Sequence, residues 1–334
     1  MRVSENLNLA LHELFERNET AVLLGEDIRD PYGGAFKVTK GLSTRFSERV
    51  LSTPLSEGAI VGAGAGLALA GDTAVVEIMF GDFITLGFDQ IVNFASKSVS
   101  MYGRRVPLRL VVRCPVGGGR GYGPTHSQSP QKHFVGVPDL GLFELSPFHD
   151  SRDVLQTMLA RETPGILFED KVLYTQQMYE DGSVDDLFGY DFIDGDPPVA
   201  RVFIERPDVF DQIVIAPGGM ANRALAAMRT AFLEEETVSQ LLVPSQLYPF
   251  DVEPLLPTLA QARQIVIVEE GVAGGTWGSE VAQSLYPRLW GSLRRPIRLV
   301  HSADSIIPTA AHLEREVLVQ DKTIREALAE AAND

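Results

Sequence analysis

A single cysteine, Cys114, occurs in 334 residues. No internal disulfide can form and no cysteine-based zinc site can be assembled, so a reducing cytoplasm is the expected compartment. Basic residues are also scarce: 29 Lys and Arg stand against 45 Asp and Glu, a formal charge of −16. Binding a phosphate backbone requires Lys and Arg to neutralise it, so a nucleic-acid partner is not expected. No apolar run is long enough to cross a bilayer, and charges interrupt the apolar positions of the opening MRVSENLNLALHELFERNET. The chain therefore reads as soluble and unprocessed, with no membrane partner. The phosphate-loop pattern Gly-x-x-x-x-Gly-Lys-Ser/Thr is missing. His12, His126, His133, His149, His301 and His312 lack the spacing of a metal site, so no metal ligated by these histidines is expected.

What is present points to a large core. With 45% apolar residues, a chain of this length favours two domains over one. Leu7, Leu11, Leu14 and Phe15 fall at helical spacing, and the run Ala21-Val22-Leu23-Leu24, closed by Gly25, reads as a buried parallel strand. Further strands are expected over residues 74–78, 108–113 and 165–168, with helical or glycine-rich segments between them. That alternation implies an α/β fold with a parallel sheet. After Tyr174 the pattern weakens into acids, glycines and prolines, such as Asp194-Gly195-Asp196-Pro197-Pro198. The expected organisation is a first domain over 1–180, a linker over 181–208 and a smaller α/β domain over 209–334. In the second domain, strands are expected at 212–216, 239–243 and 264–268 and a helix at 221–235.

Three segments could carry chemistry. Ile60 to Gly71 spaces its glycines G-x-G-x-G without the strand and distal acid of a dinucleotide fingerprint. Small residues at this density instead let another helix or a backbone approach closely. Just before it, Thr53-Pro54-Leu55-Ser56-Glu57 sets a carboxylate where an apolar helix begins. Such an acid complements the helix dipole, and it is equally a polar group entering a buried setting. Third, the stretch from Cys114 to Ser129 is too rich in glycine for helix or strand, and it delivers His126 at the end of a long loop following a strand. Ligand-facing loops of open α/β sheets sit at such strand ends, and imidazole suits acid–base work near neutrality. A lone loop histidine is also often just a solvated side chain.

Taken together, Gly25-Glu26-Asp27-Ile28, Gly33-Gly34-Ala35-Phe36-Lys37 and Thr53-Pro54-Leu55-Ser56-Glu57 resemble the opening of E1 β subunits of thiamine-diphosphate-dependent 2-oxo acid dehydrogenases. The resemblance continues through Glu77-Ile78-Met79-Phe80-Gly81-Asp82-Phe83, Asp89-Gln90-Ile91-Val92-Asn93, His126-Ser127-Gln128-Ser129 and Glu169-Asp170-Lys171-Val172-Leu173-Tyr174. In the second half, Ala216-Pro217-Gly218-Gly219-Met220, Leu247-Tyr248-Pro249-Phe250-Asp251 and Glu269 to Gly278 are similar to a transketolase C-terminal domain. Nearly the whole chain is covered.

The resemblance implies a pyrimidine-binding domain followed by a transketolase C-terminal-like domain. It also implies an E1 α-type partner in an α₂β₂ assembly. That partner would carry the diphosphate and Mg²⁺ site with its Gly-Asp-Gly motif, which is missing here. By the same resemblance, Glu57 matches the glutamate that hydrogen-bonds N1′ of the aminopyrimidine, and Phe83 matches the aromatic residue stacked on that ring. His126 matches the histidine of proton and acyl transfer, Glu26 lies near the pyrimidine, and Ser127 and Gln128 are candidates to orient His126. The implied substrate is a 2-oxo acid, and the acceptor a lipoyl-bearing E2 or another acyl acceptor. A carboligase subunit forming acyloins or ketones, and a non-catalytic dimerisation subunit, are the competing readings. The chain departs from the common pattern at residues 243–249 and at Pro308-Thr309, positions that bear on docking of the second domain.

Overall fold

The structure is a computed structural model that describes residues 1–329, so the last five residues of the expected second domain lie outside the described residues. The first half runs α1 (Val3–Arg17), β1 (Ala21–Gly25), α2 (Leu42–Arg45), β2 (Val50–Ser52), α3 (Glu57–Ala70), β3 (Thr73–Glu77), β4 (Leu110–Val116), β5 (Gly141–Glu144), α4 (Ser151–Ala160) and β6 (Gly165–Asp170). The second runs β7 (Phe188–Ile193), β8 (Val199–Ile204), β9 (Gln212–Ile215), α5 (Gly218–Glu235), β10 (Ser239–Val243), β11 (Gln246–Tyr248), α6 (Leu256–Leu259), β12 (Gln264–Val272), α7 (Trp277–Leu289), β13 (Arg298–Ser302), α8 (Ala311–Val317) and α9 (Asp321–Ala329). No helix among the described residues is long and apolar enough to cross a membrane.

The first sheet has the order β11-β5-β6-β4-β3-β1-β2, and its strands from β5 to β2 are parallel. Its central strands are apolar on both faces, as a sheet covered by helices requires. Val76 and Val112 pack with Ile60, Val61 and Ala65 of α3, while Val75 and Val111 pack with Leu7 and Leu11 of α1 and Leu155 of α4. The small residues of α3 were expected to admit another helix or a backbone; at Gly64 they admit side chains of the sheet instead. A side chain on Gly64 would come within 2.5 Å of Val76 Cγ1, so glycine there lets the helix lie directly on the sheet. A fully buried ionic network ties the middle strands together: Arg113 on β4 grips Glu169 of β6 through two bonds of 2.8 Å and also reaches Glu77 of β3. The Ala35 amide and the Tyr174 hydroxyl complete it by donating to Glu77 and Glu169.

The second sheet has the order β13-β12-β9-β10-β8-β7. Here one expectation fails, because the stretch 181–208 contains β7 and β8 instead of a free linker. The segment Asp194-Gly195-Asp196-Pro197-Pro198 is the turn of their antiparallel hairpin, held by the cross-strand ion pair Arg201–Asp191. A second feature crosses the expected boundary. Strand β11, deep in the second half of the chain, pairs antiparallel with β5 and completes the first sheet, and Trp277 Nε1 fixes it by donating to Leu247 O at 2.9 Å.

Carboxylates line the seam between the halves. Glu144 accepts the Gly219 amide and the Gln131 side-chain amide, each at 3.0 Å, yet burial pushes its carboxyl up to about 8, and the charges of Asp170 and Glu270 add to this. Burial, followed by repulsion from Glu270, raises Asp170 to about 7. A folded-state value above the unfolded one means that the folded chain holds a proton the unfolded chain has already released, so stability declines as pH rises towards the folded value. His149, buried and lowered to about 4, acts with the opposite sign and only below its ordinary value of 6.5. Between pH 6.5 and 8.5 the melting temperature of the wild-type chain should therefore fall by roughly 3 °C more than that of Glu144→Gln. Parallel pH profiles for the two proteins in calorimetry would show that Glu144 carries no such proton.

Candidate active site

The carboxyl ends of five neighbouring parallel strands, β6, β4, β3, β1 and β2, point the same way, where open α/β sheets bind ligands. Each delivers one polar or aromatic group. Glu26 follows β1 directly, and Glu57, reached from β2, is the first residue of α3. Phe83 sits in a 3₁₀ turn (Gly81–Gly87) after β3, His126 in the glycine-rich loop after β4, and Lys171 just after β6. All four residues expected from the sequence, Glu57, Phe83, His126 and Glu26, thus lie at one edge of one sheet.

Glu57 is 9% exposed, and Ser56 before it does not cap the helix through its side chain. The turn carrying Phe83 is pressed onto the start of α3: a side chain on Gly58 would meet Leu86 O at 3.1 Å, and one on Gly87 would meet Val61 Cγ2 at 3.0 Å. Glu26 is buried, and its Oε1 has no hydrogen-bond partner. Burial foremost, and then the Glu57 charge, raise its carboxyl above the ordinary range, which places the two acids within electrostatic reach of each other.

Aromatic rings cluster at the same end of the sheet. The Phe83 and His126 rings stand edge to face with centroids 5.2 Å apart, and Phe80 meets His126 at 5.7 Å and Tyr122 at 6.4 Å. The partner of His126 Nδ1 is the Thr125 hydroxyl at 3.0 Å. Ser127 and Gln128, the expected orienting residues, make no hydrogen bond to the imidazole through their side chains. Ser127 Oγ is turned inward and unpaired, while Gln128 donates its backbone N–H to Asp82 and its side-chain amide to Pro124 O. The turn closed by His126 N–H to Gly123 O brings Thr125, not Ser127, beside the ring.

Two further charged groups were not expected from the sequence. The Asp82 carboxyl is raised, mainly by burial, although the charges of Lys171 and His126 oppose that rise. Lys171 is 1% exposed, its Nζ has no hydrogen-bond partner and lies 5.6 Å from the Phe80 ring centroid, and burial lowers its pKa. Both stand in segments that carry the resemblance without a role of their own there, and both follow a strand, Asp82 β3 and Lys171 β6, at the same end of the sheet.

Known proteins resemble the chain over most of its length. Residues 1–177 match the family described as "Transketolase, pyrimidine binding domain", and residues 202–324 match "Transketolase, C-terminal domain". The chain is 32% identical to the pyruvate dehydrogenase E1 component subunit beta of Leifsonia xyli subsp. xyli over 91% of its length and 87% of that protein. It is 30% identical to the 2-oxoisovalerate dehydrogenase subunit beta of Bacillus subtilis over 99% of its length and 98% of that protein. Among solved structures, a split-gene transketolase described as an inactive beta4 tetramer superposes with a TM-score of 0.73 at 18% identity, covering 99% of this chain and 98% of that one, a likeness of fold.

Proposed function

The chain belongs to the transketolase superfamily as a subunit of the E1 β type, and from that premise we propose that it forms the pyrimidine-facing half of the active site in a heteromeric thiamine-diphosphate-dependent 2-oxo acid dehydrogenase. The observation that carries the reading is the gathering of Glu57, Glu26, Phe83 and His126 at adjacent strand ends, with the Glu26 carboxyl raised partly by Glu57 and the Phe83 and His126 rings in contact. Thiamine diphosphate, when bound, supplies the electron sink that decarboxylation of a 2-oxo acid needs.

The residues fit the aminopyrimidine half of that cofactor. Glu26 Oε1 is a buried acceptor with nothing to accept from, and the Phe83 ring at the same end of the sheet offers an aromatic face. In this reading Glu57 would hydrogen-bond N1′ of the aminopyrimidine as its proton donor or acceptor, and Phe83 would pack against the ring. His126 moves a proton at the reacting carbonyl and assists acyl transfer to a lipoyl carrier. The diphosphate and Mg²⁺ fall to an E1 α-type partner in an α₂β₂ assembly. Leu55 and Leu86, 81% and 62% exposed beside Glu57 and Phe83, give this edge the apolar rim that a partner chain would cover. The buried, unbonded Cys114 suits a reducing cytoplasm.

Titrating thiamine diphosphate into the α-type partner alone and into the assembled complex tests the proposal. The β chain should raise cofactor affinity by about tenfold or more, and the complex should decarboxylate a 2-oxo acid and acylate a lipoyl domain. Equal affinity with and without this chain would leave it a dimerisation subunit, and acyloin products in place of acyl-lipoyl would replace the carrier with an aldehyde acceptor.

A further inference from the structure

The loop that carries His126 is moulded by the second domain. It leaves the first sheet after Val116, and its amides turn at once to carboxylates from the other half of the chain. Gly118 N–H donates to Glu270 Oε1 at 2.7 Å, and Gly119 N–H donates to Glu314 Oε1 at 2.9 Å. Gly121 N–H is shared between Glu314 Oε1 at 3.4 Å and Oε2 at 3.2 Å. At the far end of the loop the Ser129 hydroxyl also donates to Glu270 Oε1, at 3.3 Å.

The fit is steric as well as polar. A side chain on Gly118 would lie 2.4 Å from Leu318 Cδ1, and one on Gly123 2.5 Å from Thr309 Oγ1. Gly119, Gly121 and Gly123 all have positive φ, so both space and backbone geometry require glycine at this contact. Gly123 O in turn accepts the His126 backbone N–H at 3.3 Å. A path of contacts therefore runs from residues 309–318 through the glycines to the backbone of His126.

Glu314 is the distinctive member. It is 3% exposed, and the partners of its carboxylate are loop amides, whereas Glu270 is also engaged by Arg223 at 2.8 Å. Burying a carboxylate is costly unless its bonds are charge-assisted and well placed, and here those bonds go to the segment that leads to His126. We propose that Glu314 is a positioning residue for His126, so that the docked second domain sets where the imidazole stands. This rests on the role given to His126 above.

The test uses the enzyme reconstituted with its α-type partner and cofactor. Glu314→Ala should lower kcat by about 10- to 100-fold, the scale of an ångström-level misplacement of a catalytic group. Affinity for thiamine diphosphate should stay within about twofold, and the Gly119 and Gly121 amides should exchange hydrogen at least about tenfold faster. Glu314→Gln, which keeps a carbonyl oxygen for the loop, should recover most of the loss. Adding Glu314→Ala to His126→Ala should slow the enzyme no further. Unchanged kcat, unchanged exchange, or losses that add in full would overturn the proposal. Turnover at the parent rate in His126→Ala alone would instead overturn the reading of His126. If Glu314→Ala does not fold, Glu314→Asp, one methylene shorter and still charged, carries the same comparisons.

Discussion

Replacing Glu57 by Gln, in enzyme reconstituted with an α-type partner, is expected to lower turnover by about 10²- to 10⁴-fold, the usual contribution of a positioned proton donor or acceptor. Assembly should be unaffected. The substitution keeps the shape of the side chain and its place in the first turn of α3, where no cap bond from Ser56 depends on it. What it removes is the capacity to accept and give back a proton. A purely helical role, with the acid complementing the helix dipole, would cost only about 0.3–1 kcal/mol of stability and no chemistry. The two outcomes are therefore far apart. Steady-state kinetics beside sedimentation of the complex would separate them, and near-parental turnover would remove Glu57 from the reaction.

The largest expected effect on stability is at Arg113. Its guanidinium is fully buried between Glu77 and Glu169, so Arg113→Met leaves two carboxylates with no cation in the middle of the first sheet. Breaking a buried ion pair from one side typically costs about 3–5 kcal/mol, since the remaining charge stays desolvated. Urea unfolding should show that loss. Adding Glu77→Gln and Glu169→Gln should restore part of it, because neutral amides still accept from Ala35 N–H and Tyr174 OH without needing a counter-charge. A midpoint unmoved by Arg113→Met would mean that water reaches the network.

Much of this architecture was legible in the sequence because its signals are local. The strands containing Val75, Val111 and Ile166 read as apolar runs because helices cover both faces of their sheet; Phe83 sits in a motif that follows the first of them, and Glu57 in one that follows β2. The hairpin of β7 and β8 was missed for a physical reason. It lies at the edge of its sheet, with Tyr190 half-buried and Phe192 exposed among acids, so composition suggested a linker while the alternation of Phe188, Tyr190 and Phe192 was the overlooked sign. Non-local contacts could not be read at all. Nothing adjacent to Glu314 in the sequence marks it as a partner of Gly119, and no pattern near Lys171 announces that its Nζ ends under Phe80.

The strand Gln246–Tyr248 gives the two halves of the chain a relation that their order along the sequence conceals. Because it borders Gly141–Glu144, a cut anywhere between residues 180 and 245 is not a clean division into modules. The upstream fragment would lose its outermost strand and bare a row of unpaired amides and carbonyls, with Leu142 and Phe143 beside them. The halves are interlaced, so gene fusions, permutations or chimaeras that exchange the downstream half must bring a compatible edge strand with it.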